Sequence, residues 1–400
     1  MTEAYIYDAI RTPRGKARPD GGLHDHSPLA LLALLYKALE QRTGLDPAFV
    51  EDVILGCVTQ SGEQAANIAK TSTLYAGWPS QIPGMTVNRF CSSGIDAIQI
   101  AALKVIAGEG ELFVAGGIEM MSRVAMLSDK PAAFLDKELA KRLGMHLMGS
   151  GADLIASLYK VTREEADKVA FDSQRKASQA SEQAHFKSII PVATDQFGTH
   201  LSHDENIRPQ TSLDSLSKLA PAFETLGKSG IDQTFLKQYP DLSEISHIHT
   251  AGNSPAMADG ASLLLVGSHR AGEQLGHQPR ARIRAMATAN ANIQEVVSGC
   301  INATQKILLK ENMSVADIDL FEIHEAFAAT IVKCQKELQI PDDKLNVNGG
   351  CIALGHPLGA TGAIMTGTLL DELERRDLKR GVVSASGAAG LGSAILIERI

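Results

Sequence analysis

Patterns typical of buried strands alternate with patterns typical of amphipathic helices in two separate rounds along this chain of 400 residues. The first round opens with a strand pattern at residues 3–9. A helix follows, with Ser27 as its predicted N-cap and Gly44 as its C-terminal stop. The second round occupies residues 280–400 and closes with two strand patterns, GVVSASG and SAILIERI. Such alternation predicts an α/β fold on a mostly parallel sheet, and its repetition indicates two similar halves.

The stretch between the two rounds has a different character. Residues 123–249 are more polar and lack clear buried strands, and residues 206–223 and 227–242 have irregular patterns. Insertions of this kind on an α/β scaffold commonly cover a binding site. We therefore predict three units: residues 1–122 with 250–279, an inserted loop domain at 123–249, and residues 280–400.

Charge and cysteine content narrow the classes of function. The net charge of −8 argues against a nucleic-acid or membrane-surface binder, which would need a basic face. No stretch approaches the roughly 20 apolar residues of a membrane span. The opening MTEAYIYDAIRTPRG has no apolar signal region, and five scattered cysteines without CxxC spacing suit free thiols. A cytoplasmic protein is the expectation.

Cys91 lies in VNRFCSSG, where a predicted strand ends and a long helix begins. A helix N-terminus carries unpaired N–H groups and a partial positive charge, and both favour thiolate over thiol. A cysteine at this position is therefore a candidate nucleophile. The alternative is a cysteine that serves only as a small buried apolar residue.

Two histidines stand at positions suited to proton transfer. His356 is held in GHPLGATG just before a helix, where a neutral imidazole could take a proton or bind a developing oxyanion. His324 follows the strand FEI, at the sheet edge where ligands bind in α/β folds. For each, the alternative is a histidine with only a local hydrogen bond. The HEAF spacing is not HExxH, which argues against a zinc hydrolase, and we predict no metal.

The closing segment SASGAAGLG is rich in small residues between two strands. Small residues let backbone N–H groups approach a ligand, as an oxyanion hole requires. The alternative is a plain tight hairpin.

Taken together, these segments resemble the thiolase family. NRFCSSG resembles its nucleophile motif, HEAF its Asn/His-Glu-Ala-Phe motif, and NVNGGCIALGHPLGATG its histidine loop. AGGIEMMS and TAGNS also match, and the order is the family's order over nearly the entire chain. The opening IYDAIRTPRGK and the additional stretch at 227–246 look most like the thiolase subunits of bacterial fatty-acid β-oxidation complexes.

The resemblance implies a five-layer αβαβα fold and cleavage of 3-oxoacyl-CoA by CoA, or the reverse condensation. CoA is then a substrate, with no further cofactor. Cys91 would be the acylated nucleophile and His356 its base, and His356 and His324 would serve one oxyanion hole. The backbone N–H groups of Cys91 and Ala388 would form the other. The substrate-binding residues implied are His146, Met148, Asn253, Pro255 and Phe327. A homodimer or homotetramer is implied, possibly in complex with a hydratase/dehydrogenase subunit.

Ser386 departs from the family pattern, because it stands where the family usually has a second, acid/base cysteine. A serine hydroxyl is a poor base near neutral pH, so thiolysis should fall by roughly 10²–10⁴-fold unless another group substitutes. Cys351, where the family usually has Ala, is a candidate for that group. Pro255 replaces a Ser that commonly contacts CoA.

Three interpretations therefore remain open. The first is a thiolase with normal or reduced activity. The second is an enzyme that acylates Cys91 without efficient transfer to CoA, such as a slow thioesterase or condensing enzyme. The third is a structural acyl-CoA-binding subunit. Ser386 could also have been introduced to trap an intermediate.

Overall fold

The computed structural model describes residues 2–194 and 199–400 of the chain. The strands are β1 (Ala4–Arg11), β2 (Gly15–Lys16), β3 (Asp52–Gly56), β4 (Gly84–Val87), β5 (Leu112–Met120), β6 (Val192–Ala193), β7 (His200–Leu201), β8 (Ala258–Gly267), β9 (Ala281–Asn290), β10 (Leu320–Ile323), β11 (Arg380–Ser386) and β12 (Leu391–Arg399). The α-helices are α1 (Pro28–Thr43), α2 (Ile68–Tyr75), α3 (Ser93–Ala107), α4 (Ala132–Leu135), α5 (Lys137–Leu143), α6 (Met148–Leu158), α7 (Arg163–Glu182), α8 (Leu213–Ser217), α9 (Glu224–Leu226), α10 (Asp232–Gln238), α11 (His269–Leu275), α12 (Gly299–Lys310), α13 (Ala328–Leu338), α14 (Cys351–Leu354) and α15 (Thr361–Arg375).

Local signals fix the ends of α1 as the sequence predicts. The Ser27 hydroxyl accepts a hydrogen bond from the Ala30 N–H, and Gly44 ends the helix with φ of 64°. Glycine suits this left-handed backbone conformation because it has no Cβ to clash.

The main sheet has the strand order β10-β11-β12-β9-β1-β8-β5-β3-β4, with β2 paired to β8. The prediction of a mostly parallel sheet is wrong at the level of pairing. In the described residues only β3–β4, β3–β5 and β10–β11 pair in parallel. The reason is that β8 and β12 run against the other strands of their halves and lie inside the sheet. β8 therefore pairs antiparallel with β1, β5 and β2, and β12 pairs antiparallel with β11 and β9.

The two halves repeat one topology. From the edge inward the first reads β4-β3-β5-β8-β1, and the second reads β10-β11-β12-β9, with a parallel bridge from Phe321 to Leu345 in the place of an outer strand. The first strand of each half, β1 and β9, pair antiparallel at the centre. The internal duplication suggested by the sequence is thus visible as a repeated strand order.

Alternate residues along the strands separate three apolar cores. Val53 and Leu55 of β3 face α1 and α2, whereas Ile54 faces a central core that contains α3 and α15. In the second half, Phe321 of β10 faces α12 and α13, whereas Leu320 faces the central core. The two halves of the main sheet therefore form two separate layers. The order of layers is helix, sheet, helix, sheet and helix, which confirms the predicted five-layer αβαβα arrangement.

The inserted region is mostly helical. Its strands in the described residues are the two-residue pair β6–β7, as the absence of strand patterns predicts. The expectation that residues 227–242 are irregular is wrong, because they contain a π-helical turn at Gly227–Ile231 and then α10. Phe235 of α10 is buried against Leu154 of α6 and Ile245, and this packing holds the helix in place. The limits of the three units remain a prediction.

One described segment, Phe90–Ala107, has the length and composition to cross a membrane. Sixty-one per cent of it is buried inside the fold, because α3 forms part of the central core.

Candidate active site

The predicted chemical residues meet at the ends of three strands. Cys91 follows β4, His324 follows β10, and Ser386 ends β11. His356 lies in the turn between α14 and α15. His324 and Ser386 share one sheet edge because β10 and β11 are parallel neighbours, as in the sites that α/β folds use for ligands. Cys91 comes from the other half and reaches this edge where Ser92 contacts the residue before Ser386.

The turn that carries Cys91 is held by its own side chains. Phe90 adopts a left-handed conformation with φ of 50°, which is uncommon for a residue with a side chain. The Asn88 Oδ1 accepts a hydrogen bond from the Phe90 N–H at 2.8 Å, and the Ser93 Oγ accepts one from the Arg89 N–H at 2.8 Å. The Ser92 hydroxyl donates to the Ala385 carbonyl at 2.8 Å, which ties the turn to the residue before Ser386.

Close backbone contacts join this turn to the histidine loop. A Cβ added to Gly94 would come within 2.7 Å of the Ala363 nitrogen, and one on Gly117 within 2.2 Å of the Gly359 oxygen. Side chains cannot occupy these positions without displacing backbone, so glycine permits the approach of α3 to the turn before α15.

The structure corrects the expected state of the Cys91 thiol. Burial, reinforced by the negative charge of Glu119, raises the pKa of Cys91 to about 12, although the residue is partly exposed. The N-terminal end of α3 therefore does not by itself make a thiolate. Cys91 rests as a thiol and needs a base.

His356 has the properties of that base. Its backbone N–H donates to the Ala256 carbonyl at 2.8 Å, and its Nδ1 lies 2.7 Å from the Thr361 Oγ1. With Nδ1 occupied by Thr361, Nε2 is left for proton transfer. Burial, and then the neighbouring His324 and the positive charge of Arg14, hold the pKa of His356 well below 6.5. The imidazole is therefore neutral at physiological pH.

His324 lies against His356, with ring centroids 4.3 Å apart. Its backbone N–H donates to the Ser384 carbonyl at 2.9 Å, but both ring nitrogens are buried without a hydrogen-bond partner. Burial lowers the pKa of His324 to about 4. A neutral, unpaired imidazole is available to bind a polar group of a ligand or a water.

Cys351 belongs to the same cluster. One ligand atom each from His324, Cys351 and His356 lie within 4.8 Å of one another, and all three side chains are buried. Such an N, N, S set is one that zinc can accept. Arg14, however, is buried beside the cluster, and its positive charge acts on all three side chains. A second cation is disfavoured there, so the residues do not fit a metal well.

Ser386 and Ala388 lie at the end of β11. The Ser386 Oγ accepts a hydrogen bond from the Cys300 N–H at 3.0 Å, and Ser386 is buried. Ala388 begins a tight turn in which Ala389 has φ of 58°. A Cβ on Gly387 would come within 2.8 Å of the Arg89 oxygen, so this turn lies directly against the turn that carries Cys91.

Two buried carboxylates that the sequence analysis did not assign hold the site together. Glu119 accepts hydrogen bonds from the N–H groups of Val58, Thr59 and Gly359 at 2.9–3.0 Å. Glu325 accepts from the Ile352 N–H at 3.0 Å and from the Ser173 hydroxyl at 2.8 Å. The signal in the sequence was a carboxylate within a short motif, Glu119 in AGGIEMMS and Glu325 in HEAF. Their hydrogen-bond partners, however, lie in distant segments of the chain.

An apolar cluster borders Cys91. Ala388 and Phe327 are buried in it, and the partly buried side chains packed against them include those of Phe90, Phe134, Met148 and Phe223. The Phe223 and Phe327 rings are 5.7 Å apart. His146 lies near the start of α6, with its ring 4.6 Å from Phe235 and its Nε2 buried without a partner. Met148 and Phe327 are thus close to the nucleophile turn, as a substrate-binding role requires.

Asn253 requires a correction. Its side chain is fully buried, accepts from the Thr250 N–H at 2.8 Å, and donates to the Asp167 carboxylate and the Ile248 carbonyl. Since every polar atom of the amide is used within the protein, Asn253 shapes its loop and is not free to bind a ligand. Pro255 is partly buried in the same loop, and its neighbour Ser254 has a buried hydroxyl without a partner.

A cavity of about 470 Å³ lies elsewhere, between α7 and α13. It reaches Glu325 from the side away from Cys91, and its cations are already paired, as Arg175 and Lys168 are with Asp172. We assign no ligand to it.

Known proteins match this chain from end to end. The family models "Thiolase, N-terminal domain" and "Thiolase, C-terminal domain" match residues 4–230 and 277–399. A 3-ketoacyl-CoA thiolase of Colwellia psychrerythraea is 39% identical over 411 residues, with all of both chains covered. A 3-oxoadipyl-CoA/3-oxo-5,6-dehydrosuberyl-CoA thiolase of Escherichia coli is 36% identical over 423 residues, again with full coverage. The crystal structure of the Bacillus anthracis acetyl-CoA acetyltransferase has a TM-score of 0.86 and 33% identity, covering 100% of this chain and 99% of that one.

Proposed function

This chain belongs to the thiolase family, and from that premise we propose that it is an acetyl-CoA C-acyltransferase acting through an acyl-Cys91 intermediate. It cleaves a 3-oxoacyl-CoA with a second CoA to give acetyl-CoA and an acyl-CoA shortened by two carbons, or runs the reverse condensation. CoA is a substrate in this reaction. The names of the relatives, 3-ketoacyl-CoA thiolase above all, support this substrate class and a role in fatty-acid β-oxidation.

The observation that carries the proposal is that the segment of Cys91 packs against the loop of His356, with the thiol protonated and the imidazole neutral at rest. A protonated thiol becomes a nucleophile when a base takes its proton. The burial that raises the pKa of Cys91 also lowers that of His356, so the resting pair is uncharged. Proton transfer from Sγ to Nε2 then creates the nucleophile.

In the first half-reaction the Cys91 sulfur attacks the 3-oxo carbon. The oxyanion that forms there needs hydrogen-bond donors at fixed positions. We assign this role to the backbone N–H groups of Cys91 and Ala388, because the turn at Gly387 lies against the Cys91 turn. We assign His356 and His324 to the thioester oxygen, because the unpaired nitrogens of His324 suit a ligand or a bound water.

The acyl chain needs an apolar surface next to Cys91. The cluster containing Phe90, Met148, Phe327 and Ala388 supplies one, and residues of the inserted region form one side of it. The His146 ring packs against Phe235, and we expect the segment around His146 to line the path of the acyl and pantetheine groups. Pro255 lacks a side-chain donor, so we expect it to make only apolar contact with CoA.

The test is thiolysis by the purified protein, measured as acetyl-CoA release from 3-oxoacyl-CoA of several chain lengths. We expect turnover that is abolished in Cys91→Ala and kept in Cys334→Ala, where a buried cysteine is removed from the outer core far from the site. Absence of turnover by the folded wild-type protein at every chain length would contradict the proposal.

Two alternatives predict different products. A slow thioesterase or condensing enzyme would acylate Cys91 but transfer the acyl group to water or to another acyl-CoA. A structural subunit would bind a hydratase/dehydrogenase partner equally well as Cys91→Ala. Intact-mass measurement after exposure to acyl-CoA separates these, since only the catalytic interpretations give a mass increase on Cys91.

We also propose assembly as a homodimer through the edge strand β4. Within the described part of the chain this strand pairs only with β3, and its residues are partly exposed. The neighbouring helices α2 and α3 expose Leu74, Tyr75 and Leu103. An unpaired edge with apolar neighbours is a surface that proteins usually cover. Light scattering should show a smaller assembly for Leu103→Glu, but not for Leu309→Glu, which alters a more exposed leucine elsewhere. Equal effects of both changes would contradict this interface.

We place the protein in the cytoplasm, because all five of its cysteines are free thiols and a reducing compartment keeps them so.

A further inference from the structure

The proposed reaction leaves one proton without an obvious donor. When the bond between C2 and C3 of the substrate breaks, the electron pair stays on C2, and acetyl-CoA forms only when C2 takes a proton. His356 holds the Cys91 proton at that moment, but it is assigned to the thioester oxygen and must return this proton to the Cys91 sulfur in the second half-reaction. The Ser386 hydroxyl is a weak acid, and its oxygen already accepts the Cys300 N–H.

We propose that Cys351 is this proton donor and that it later serves as the base for the incoming CoA thiol. The inference rests on the proposed function, and it names a catalytic residue at the same site. Its foundation is the cluster of Cys351, His324 and His356, whose Sγ and ring nitrogens lie within 4.8 Å of one another.

The charges around Cys351 suit a thiol that gives up and regains a proton. Burial raises the pKa of Cys351 to about 12, so the thiol starts protonated. Arg14 acts in the other direction, and its Nε and Nη1 are buried without hydrogen-bond partners. Glu325, Glu322 and Cys91 are the other charged or titratable groups that act on Cys351, and all three oppose the thiolate. Arg14 is therefore the fixed charge that stabilises the thiolate when it forms.

His324 provides a second, independent indication that protons are transferred at this position. It is almost fully buried, yet apart from an interaction with the Ser386 backbone neither ring nitrogen has a hydrogen-bond partner. A buried imidazole left unpaired costs free energy unless a ligand or water binds it. With Cys351 on one side and His356 on the other, His324 can hold the water or thioester group that Cys351 must reach.

The proton balance closes over both half-reactions. In the first, the Cys91 proton moves to His356, sulfur bonds to C3, the bond between C2 and C3 breaks, and C2 takes the Cys351 proton. In the second, the CoA thiol gives its proton to the Cys351 thiolate and its sulfur bonds to the acyl carbon. The bond to Cys91 then breaks, and the Cys91 sulfur regains the proton from His356. No further acid, base or oxidant is needed.

Two substitutions test the role without changing the rest of the site. We expect Cys351→Ala and Cys351→Ser each to lower the kcat of thiolysis by about 10²–10⁴-fold, the usual contribution of a general acid or base. Ser keeps the size and polarity of the side chain, so its loss of rate cannot come from a cavity. Cys334→Ala is the matched control for removal of a buried thiol.

Two readouts separate proton transfer from structural damage. Acylation of Cys91 by an acyl-CoA, followed by intact mass, should persist in both variants, because a thiolate leaving group needs little help from an acid. Deuterium uptake at C2 of acetyl-CoA in D₂O should fall together with kcat. The double variant Cys351→Ala, Ser386→Cys should recover both kcat and deuterium uptake, because it puts a thiol back at the other end of the site.

The outcomes are decisive in either direction. A Cys351→Ser variant with more than half the wild-type kcat, or with undiminished deuterium uptake, would overturn the role of Cys351. Loss of turnover that Ser386→Cys does not restore would also overturn it. Failure of the wild-type protein itself to release acetyl-CoA would instead overturn the proposed function.

Discussion

At the scale of single residues, the chemistry of Cys91 depends on its neighbours more than on its position. The N-terminus of a helix carries a partial positive charge, which stabilises a thiolate. Burial of the thiol acts in the opposite direction and prevails here, raising the pKa to about 12. The nucleophile is therefore made by transfer of a proton to His356, and anything that turns that imidazole should slow the reaction.

Thr361 is the residue that orients His356, and it was not identified from the sequence. Its fully buried hydroxyl lies 2.7 Å from Nδ1. Thr361→Val keeps the shape and removes the hydrogen bond, which is usually worth about 1 kcal/mol. We expect kcat to fall by about fivefold, with little change in the KM for CoA, and Thr361→Ser to retain most activity. Equal losses in the two variants would point to packing instead.

At the scale of elements, the stretch that the sequence marks as additional, residues 227–246, is fastened by one histidine. The His247 Nδ1 lies 2.8 Å from Asp153 of α6, and its Nε2 lies 3.1 Å from Asp232 of α10. The second oxygen of Asp153 lies 2.7 Å from the His249 Nδ1. An imidazolium at His247 thus joins two helices through two carboxylates.

The interactions of His247 with the two carboxylates should weaken as pH rises. Burial opposes the charge on His247, but the hydrogen bonds to Asp153 and Asp232 outweigh it and raise the pKa above 6.5. A raised pKa stabilises the folded segment fully below the unfolded value, and the contribution is lost as pH rises through the folded value. We expect hydrogen exchange in α10, corrected for intrinsic rates, to be faster at pH 8.5 than at pH 6. In His247→Gln the difference should disappear, and a persistent difference there would contradict the assignment.

At the scale of the whole molecule, the two halves are joined by more than the β1–β9 pairing. Arg280 of the second half contacts Asp8 of β1 and Asp371 of α15, each at 3.0 Å, and also Glu374. Asp8 and Asp371 are buried. Without Arg280, Asp8 would keep its pair with Arg42, but the buried Asp371 would lose the cation that faces it among the described residues. A buried charge left uncompensated usually costs more than the pair contributes.

Arg280→Ala should therefore lower the free energy of unfolding by about 3–5 kcal/mol, measured in urea. Arg282→Ala is the matched control, because Arg282 pairs with Glu3 and Glu398 at a more exposed position, and its loss should cost about 1 kcal/mol or less. A similar loss in both variants would mean that the cluster does not join the halves.

The sequence by itself determined the elements and pointed to Cys91 as the candidate nucleophile. Periodicity located the long strands and helices, and caps such as Ser27 and Gly44 fixed their ends, because these signals act over a few residues. The motif around Cys91, with those around His324 and His356, gave the family and the five-layer fold. Pairing direction, by contrast, depends on where β8 and β12 insert, which no local pattern encodes.

Only the tertiary structure decided how the site works. Burial sets the protonation of Cys91 and His356, and burial is a property of the assembled layers. The fold commits the amide of Asn253 to a loop, makes residues 227–242 helical through the packing of Phe235, and brings Arg14 and Cys351 beside the two histidines. Arg14 and Cys351 are more than 300 residues apart in the sequence, so the sequence could name Cys351 as a candidate but could not place it beside the two histidines.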